Sequence, residues 1–208
     1  PKNYSIKLFS LKDSIPLSQA MPVFESMGLE VLIGRPYRIR LGNRNYWINH
    51  FTLERGNNIC AVDPQNIPLF FSELFESIWR RRNENDAFNH LLFSACIKAE
   101  NIQILRAYTA YLQQIRFPHS REYIIETLNS YPEITLLLVQ GFLAKFDPDG
   151  GTQTSHLDIF AKVRRQSHII ESLDHDLIYK HLLNLIEATV RTNYFQPDRI
   201  ETGHISFK

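Results

Sequence analysis

The stretch from Asn83 to Pro148 sets the limits on what this chain folds into. Ile102, Leu105, Tyr108, Leu112 and Ile115 recur every three or four positions, the period of one helix face. Polar joints interrupt the pattern at Asn83–Asp86, at Phe117-Pro118-His119-Ser120 and just before Pro132. Ser120 is a good helix cap, and Pro132 fits a first helical turn because its missing N–H is not needed there. The spacing predicts packed helices over Phe88–Ala99, Ile102–Arg116, Arg121–Asn129 and Pro132–Phe146. Such a stripe builds a bundle core and supplies no chemistry.

The N-terminal part follows another period. Tyr4–Leu11 alternates apolar and polar residues, as a half-buried strand does. A turn at Asp13–Pro16 leads to a helix over Leu17–Met27, which contains Pro22 and ends at Gly28. Glu30–Ile33 reads as a second strand, continued by Pro36–Leu41 beyond an expected kink at Gly34. Gly42-Asn43-Arg44-Asn45 has hairpin-loop chemistry, and Tyr46–Glu54 is rich in aromatic and β-branched residues. After a polar joint at Gly56–Pro64, Pro68 opens a helix over Leu69–Arg82. Strand, helix, strand, strand, helix is most of a ferredoxin-like unit. Asn58–Val62 is the candidate for its fourth, edge strand.

Beyond the loop Asp147–Ser155, the region His156–Phe195 reads as helical, with a break and a new cap at Ser172-Leu173-Asp174. Pro197–Gly203 is a turn, and His204–Lys208 reads as the first strand of a following part. The expected fold is α+β: a ferredoxin-like β-α-β-β-α unit over residues 1–82, then an all-helical bundle over 83–208. Both ends of the chain look cut, as if it were a piece of something longer.

Composition excludes several classes. A formal net charge of +1 over 208 residues argues against a dedicated nucleic-acid binder. The dense basic run Trp79-Arg80-Arg81-Arg82 suits a helix C-terminus better than a phosphate grip. Cys60 and Cys96 are too few for a disulfide framework or a zinc site, and both are expected as free thiols in a reducing cytosol. The expected location is therefore cytoplasmic. No apolar run approaches the roughly 18 residues of a membrane span, and the N-terminal stretch is not expected to be a signal peptide, since no charged leader followed by an apolar block is seen there.

Candidate chemistry is thin. His156, His168, His175 and His181 fall in one region, but His168 and His175 lie two turns apart, about 10 Å along a helix axis. They read as surface or joint histidines, and the four-residue spacing of Glu171 and His175 adds one common pair. No glycine pattern for a dinucleotide or a triphosphate is present, and no nucleophile elbow. Asp147-Pro148-Asp149-Gly150-Gly151 lacks the order of a calcium loop. Phe70, Phe71, Phe75 and Trp79 have helical spacing and read as core rather than as a base-stacking platform. Arg191-Thr192-Asn193-Tyr194 reads either as a contact to a following domain or as a frayed helix end. No catalytic, cofactor-binding or metal-ligating residue is assigned in this chain.

Two sets of residues carry a resemblance. Met21–Ile33 (MPVFESMGLEVLI), followed by Arg35-Pro36-Tyr37, resembles a leader of the type L-P-x-L-E-x-x-G-L-x-V. Glu84-Asn85-Asp86-Ala87-Phe88-Asn89 matches E-x-D-x-F-N, and Arg106-Ala107-Tyr108-Thr109-Ala110-Tyr111-Leu112-Gln113-Gln114 matches R-A-Y-x-x-Y-L-x-Q. With the ending Arg191–Gln196 and Ile205–Lys208, these residues resemble the large NAD-specific glutamate dehydrogenases. The resemblance implies a long multidomain chain that oxidatively deaminates L-glutamate to 2-oxoglutarate with NAD. It implies that this stretch is an ACT-like module plus a helical domain, upstream of the catalytic part. The catalytic lysines and the nucleotide-binding domain would then lie beyond Lys208, and no cofactor would bind in this segment.

The expected partners are the catalytic domain of the same chain and further copies in a homo-oligomer, with neither nucleic acid nor membrane. One departure is visible. Amino-acid-binding ACT domains place a glycine after the proline of the first strand–helix loop, whereas Pro16 here is followed by Leu17. The expected role is a non-catalytic regulatory or scaffold segment. The alternatives are an amino-acid-sensing ACT-like module and a free-standing α+β interaction domain.

Overall fold

The structure is a computed structural model and describes residues 3–11, 13–55, 67–150, 154–197 and 204–208. The N-terminal unit is β1 (Asn3–Leu11), α1 (Leu17–Ser26), β2 (Leu29–Leu41), β3 (Arg44–Arg55) and α2 (Ile67–Trp79). Its strands form an antiparallel sheet in the order β1-β3-β2. That is the ferredoxin-like arrangement expected of an ACT-like unit. The candidate strand Asn58–Val62 and the joint Gly56–Pro64 lie outside the described residues.

Tyr4, Ile6 and Leu8 of β1 stand opposite Leu53, Phe51 and Asn49 of β3, so one sheet face is apolar over this half except for Asn49, which is buried and accepts from Ser14 Oγ. The helices α1 and α2 cover it with Ala20, Val23, Phe24, Phe71, Leu74 and Ile78, all buried. Phe24 meets Phe51 edge-on at 5.2 Å. β2 is one strand rather than two kinked pieces, and its irregularity falls between Val31 and Ile33, not at Gly34. An extra residue opposite one partner bends a strand without breaking it, and the ladder then continues through Gly34. Gly28 ends α1 with φ of 76°, and a Cβ there would sit 3.4 Å from the His90 ring.

The described residues from Ala87 to Ala188 are mainly helical. A 3-10 turn over Ala87–His90 runs into α3 (Leu91–Ser94), followed by α4 (Ala99–Gln114), α5 (Arg121–Ser130), α6 (Pro132–Phe146), α7 (His156–Gln166) and α8 (Leu173–Ala188). The single helix expected over Phe88–Ala99 is thus broken. Cys96 adopts φ of 56°, a left-handed conformation that no helix interior tolerates. Ser120 and Ser172 cap α5 and α8 by accepting from Tyr123 N and His175 N. α2 and α4 end on left-handed arginines, Arg81 and Arg116. In each case the next N–H bonds back to the carbonyl five residues earlier, Arg82 to Ser77 and Phe117 to Leu112, the Schellman pattern usually built on glycine. The basic run at Arg80–Arg82 therefore closes α2, and Arg80 pairs with Glu76 at 2.8 Å.

Helix α8 stops at Ala188, short of the expected Phe195. Lys145 of α6 caps it from outside, and its Nζ donates to the carbonyls of Ile186, Glu187 and Thr189. Burial lowers the lysine pKa, partly offset by the Glu187 charge. The main helical core contains Tyr108, Leu112, Phe142, Phe160, Tyr179, Leu182 and Ile186. Two pairs of buried hydroxyls bond each other, Tyr179 with Thr135 and Tyr108 with Thr189, both at 2.7 Å. Burial pushes the Tyr108 phenol up to about 12.

Cys96 is disulfide-bonded, so the free thiol expected there is corrected. Bonding depends on a Cα separation near 5.5 Å, which spacing along a sequence does not report. Cys60 lies outside the described residues.

Candidate functional site

The residues that carried the resemblance meet in space. Asp86 caps the 3-10 turn by accepting from Phe88 N. Its carboxylate also takes Arg106 Nη2 at 2.6 Å and Arg121 Nη2 at 2.6 Å. Arg121 pairs in addition with Glu84. Both guanidinium groups lie over the Phe88 ring, at 5.5 and 5.6 Å from its centroid. Phe88 is fully buried, so the charges are stacked on an apolar floor. Two carboxylates and two guanidinium groups balance formally; Arg106 and Asp86 are largely withdrawn from water, whereas Arg121 and Glu84 form the exposed side of the cluster.

Burial alone would raise the Asp86 carboxyl. The hydrogen bond and charge of Arg106, and then the charge of Arg121, overcome that and hold it below the ordinary carboxylate value.

Asn89 extends this network into the sheet unit. Its side chain is fully buried and accepts from Arg106 Nη2 at 2.8 Å. Its amide donates to Ser26 Oγ of α1 and to the Glu84 carbonyl. Next to it, the His90 ring bonds the Glu25 carbonyl at 3.0 Å. Leu92 and Phe93 of α3 then enter the apolar cluster under the sheet, where Tyr4 meets Phe93 at 6.1 Å. The segment Glu84–Phe93 is therefore a joint, bonded on one side to α4 and α5 and on the other to α1 and the sheet core.

The second cluster lies at the C-terminal end. Val190 N and Lys208 N bond Lys208 O and Arg191 O, and Thr192 bridges Phe207 antiparallel. Asn193 holds Ser206 N and the His204 carbonyl with its side chain. The polar run Arg191–Tyr194 is thus neither a frayed helix end nor a continuation of α8. It clamps residues 204–208. Phe207 stacks on Tyr108 at 4.5 Å and meets Tyr111 edge-on, at the wall of a groove of about 640 Å³ between α4 and α8.

The four histidines stay apart as a metal set. His168 is exposed, and His156 packs on Phe160. His175 and His181 join a ring cluster with Phe117, His119, Tyr123 and Tyr131 that sequence reasoning missed. Among the described residues, no group of three or more potential ligands could hold a metal ion. Among them too, no helix is long and apolar enough to cross a membrane.

Residues 1–67 match the model of the glutamate dehydrogenase ACT3 domain, and residues 83–148 match that of glutamate dehydrogenase helical motif 3. The chain is 37% identical to the NAD-specific glutamate dehydrogenase of Halomonas elongata over 98% of its own length. It is 34% identical to that of Pseudomonas aeruginosa over 92%, and 35% identical to that of Mycobacterium tuberculosis over 86%. It spans only 12–13% of the length of these relatives. With the ACT-like sheet, the helices and the motif-built joint all in place, this chain belongs to the large NAD-specific glutamate dehydrogenase family.

Proposed function

We propose that this chain is a non-catalytic scaffold and regulatory segment of a large NAD-dependent glutamate dehydrogenase. The whole enzyme oxidatively deaminates L-glutamate to 2-oxoglutarate with NAD, and its NAD site lies outside this segment. The partners are the catalytic domain of the same polypeptide and further copies in a homo-oligomer. The observation that carries the reading is the joint. The residues matching the family pattern, Glu84, Asp86, Phe88, Asn89 and Arg106, are spent on holding the sheet unit against the helices. A segment whose motif residues fix position serves to place other parts of the enzyme.

The test is a spectrophotometric assay of the purified 208-residue chain with glutamate and NAD. No NADH forms above the no-enzyme rate. Steady glutamate-dependent turnover by this chain would overturn the proposal.

A further inference from the structure

The sheet has a second face. Its helices cover only the side carrying Ile6, Phe51 and Leu53. On the other side the register sets Phe9 beside Ile48 and Tyr37, and Leu11 beside Tyr46 and Ile39. These are two cross-strand rows of three apolar side chains, with Leu41 next to them along β2 and Ile33 beyond Arg35. Phe9 is 72% exposed, Leu11 70%, Leu41 64% and Tyr37 47%. A contiguous apolar patch of this kind marks an interaction surface.

Charge narrows the partner. The face carries Glu30 and Glu54 at one end; over the rest of it, the strand stretches 5–11, 33–41 and 44–52, there is no aspartate or glutamate, while these stretches carry Lys7, Arg35, Arg38, Arg40 and Arg44. Strand alternation puts Lys7, Arg35 and Arg44 on the same side as the apolar rows. Among the described residues none of these five cations is in an ion pair. A second copy of the same face would bring like charges together, which costs affinity. Three of the eight apolar side chains on this face, Phe9, Tyr37 and Tyr46, are rings, while the other five, Leu11, Ile33, Ile39, Leu41 and Ile48, are aliphatic and suit a protein surface better than stacked bases.

We infer that the outer face of the β1-β3-β2 sheet docks a protein surface with an apolar centre and a border of carboxylates, carried by another part of the dehydrogenase polypeptide. This rests on the reading above that the segment works within a longer enzyme, whose relatives are far longer than this chain. The apolar rows supply the burial, and Lys7, Arg35 and Arg44 select an acidic rim.

The experiment places Phe9→Asp with Tyr37→Asp, and separately Arg35→Glu with Arg44→Glu, in both the full-length dehydrogenase and the 208-residue chain. All four positions are exposed strand sites away from the core. The 208-residue variants should melt as the parent chain does. In the full-length enzyme each pair should speed proteolytic cleavage within residues 1–55 by tenfold or more. Parent-like cleavage of both full-length variants would overturn the inference. So would loss of binding to phosphatidylserine vesicles or to a poly(U) oligonucleotide in the Arg35→Glu, Arg44→Glu chain, if the parent chain binds either. Turnover by the isolated chain would sink the non-catalytic reading alone, because the docking readout is cleavage and not activity.

Discussion

Asp86 accepts a backbone N–H and two arginines at once, and its side chain is only 15% exposed. Removing Arg106 leaves Asp86 with only the more exposed Arg121 and leaves the buried Asn89 Oδ1 without its donor. Arg106→Met should therefore lower folding stability by about 3 kcal/mol, the low end for a broken buried pair. Asp86→Asn gives a sharper test through pH. The folded carboxyl is held below its unfolded value, so its contribution is complete above about pH 4. It is lost as pH falls through the lower folded value. Urea midpoints of parent and Asp86→Asn should differ at pH 7 and converge toward pH 3. A difference that stays constant over that range would mean that Asp86 is not held by charge.

At the scale of elements, close packing overrides propensity at Gly141 in α6. Alanine normally favours a helix interior by about 1 kcal/mol over glycine. Here a Cβ would sit 2.3 Å from a ring carbon of Phe160 in α7. Relieving that clash costs about 1–3 kcal/mol. Gly141→Ala should lower the melting temperature, whereas a rise would show that α7 moves away freely. The same contrast explains what the sequence disclosed. Ser120, Pro132 and Ser172 act within one helical turn, so the starts of α5, α6 and α8 were legible. The break at Cys96 was not, because its left-handed residue is not a glycine. The clamp of Asn193 on residues 204–206 was not legible either, since it joins positions more than ten apart. In the joint, Glu84, Asp86, Asn89 and Arg106 stood out as strings resembling a family pattern. Nothing local showed that Arg106 pairs with Asp86, or that Arg121 completes the set.

For the whole molecule, the decisive feature is that the two apolar cores do not divide at the joint. Leu92 and Phe93 lie in the cluster under the sheet, while Phe88 and Leu91, only a few residues away, belong to the main helical cluster. One short segment is thus shared, and Asn89 bonds both sides. The sheet unit and the helices should behave as a single body, as a positioning segment of a large enzyme requires. Scanning calorimetry of the parent chain and of Arg106→Met tests this most directly. The parent should unfold in one transition whose calorimetric and van't Hoff enthalpies agree, and Arg106→Met should resolve into two. Two separate transitions in the parent chain would contradict the joint as the element that unites the molecule.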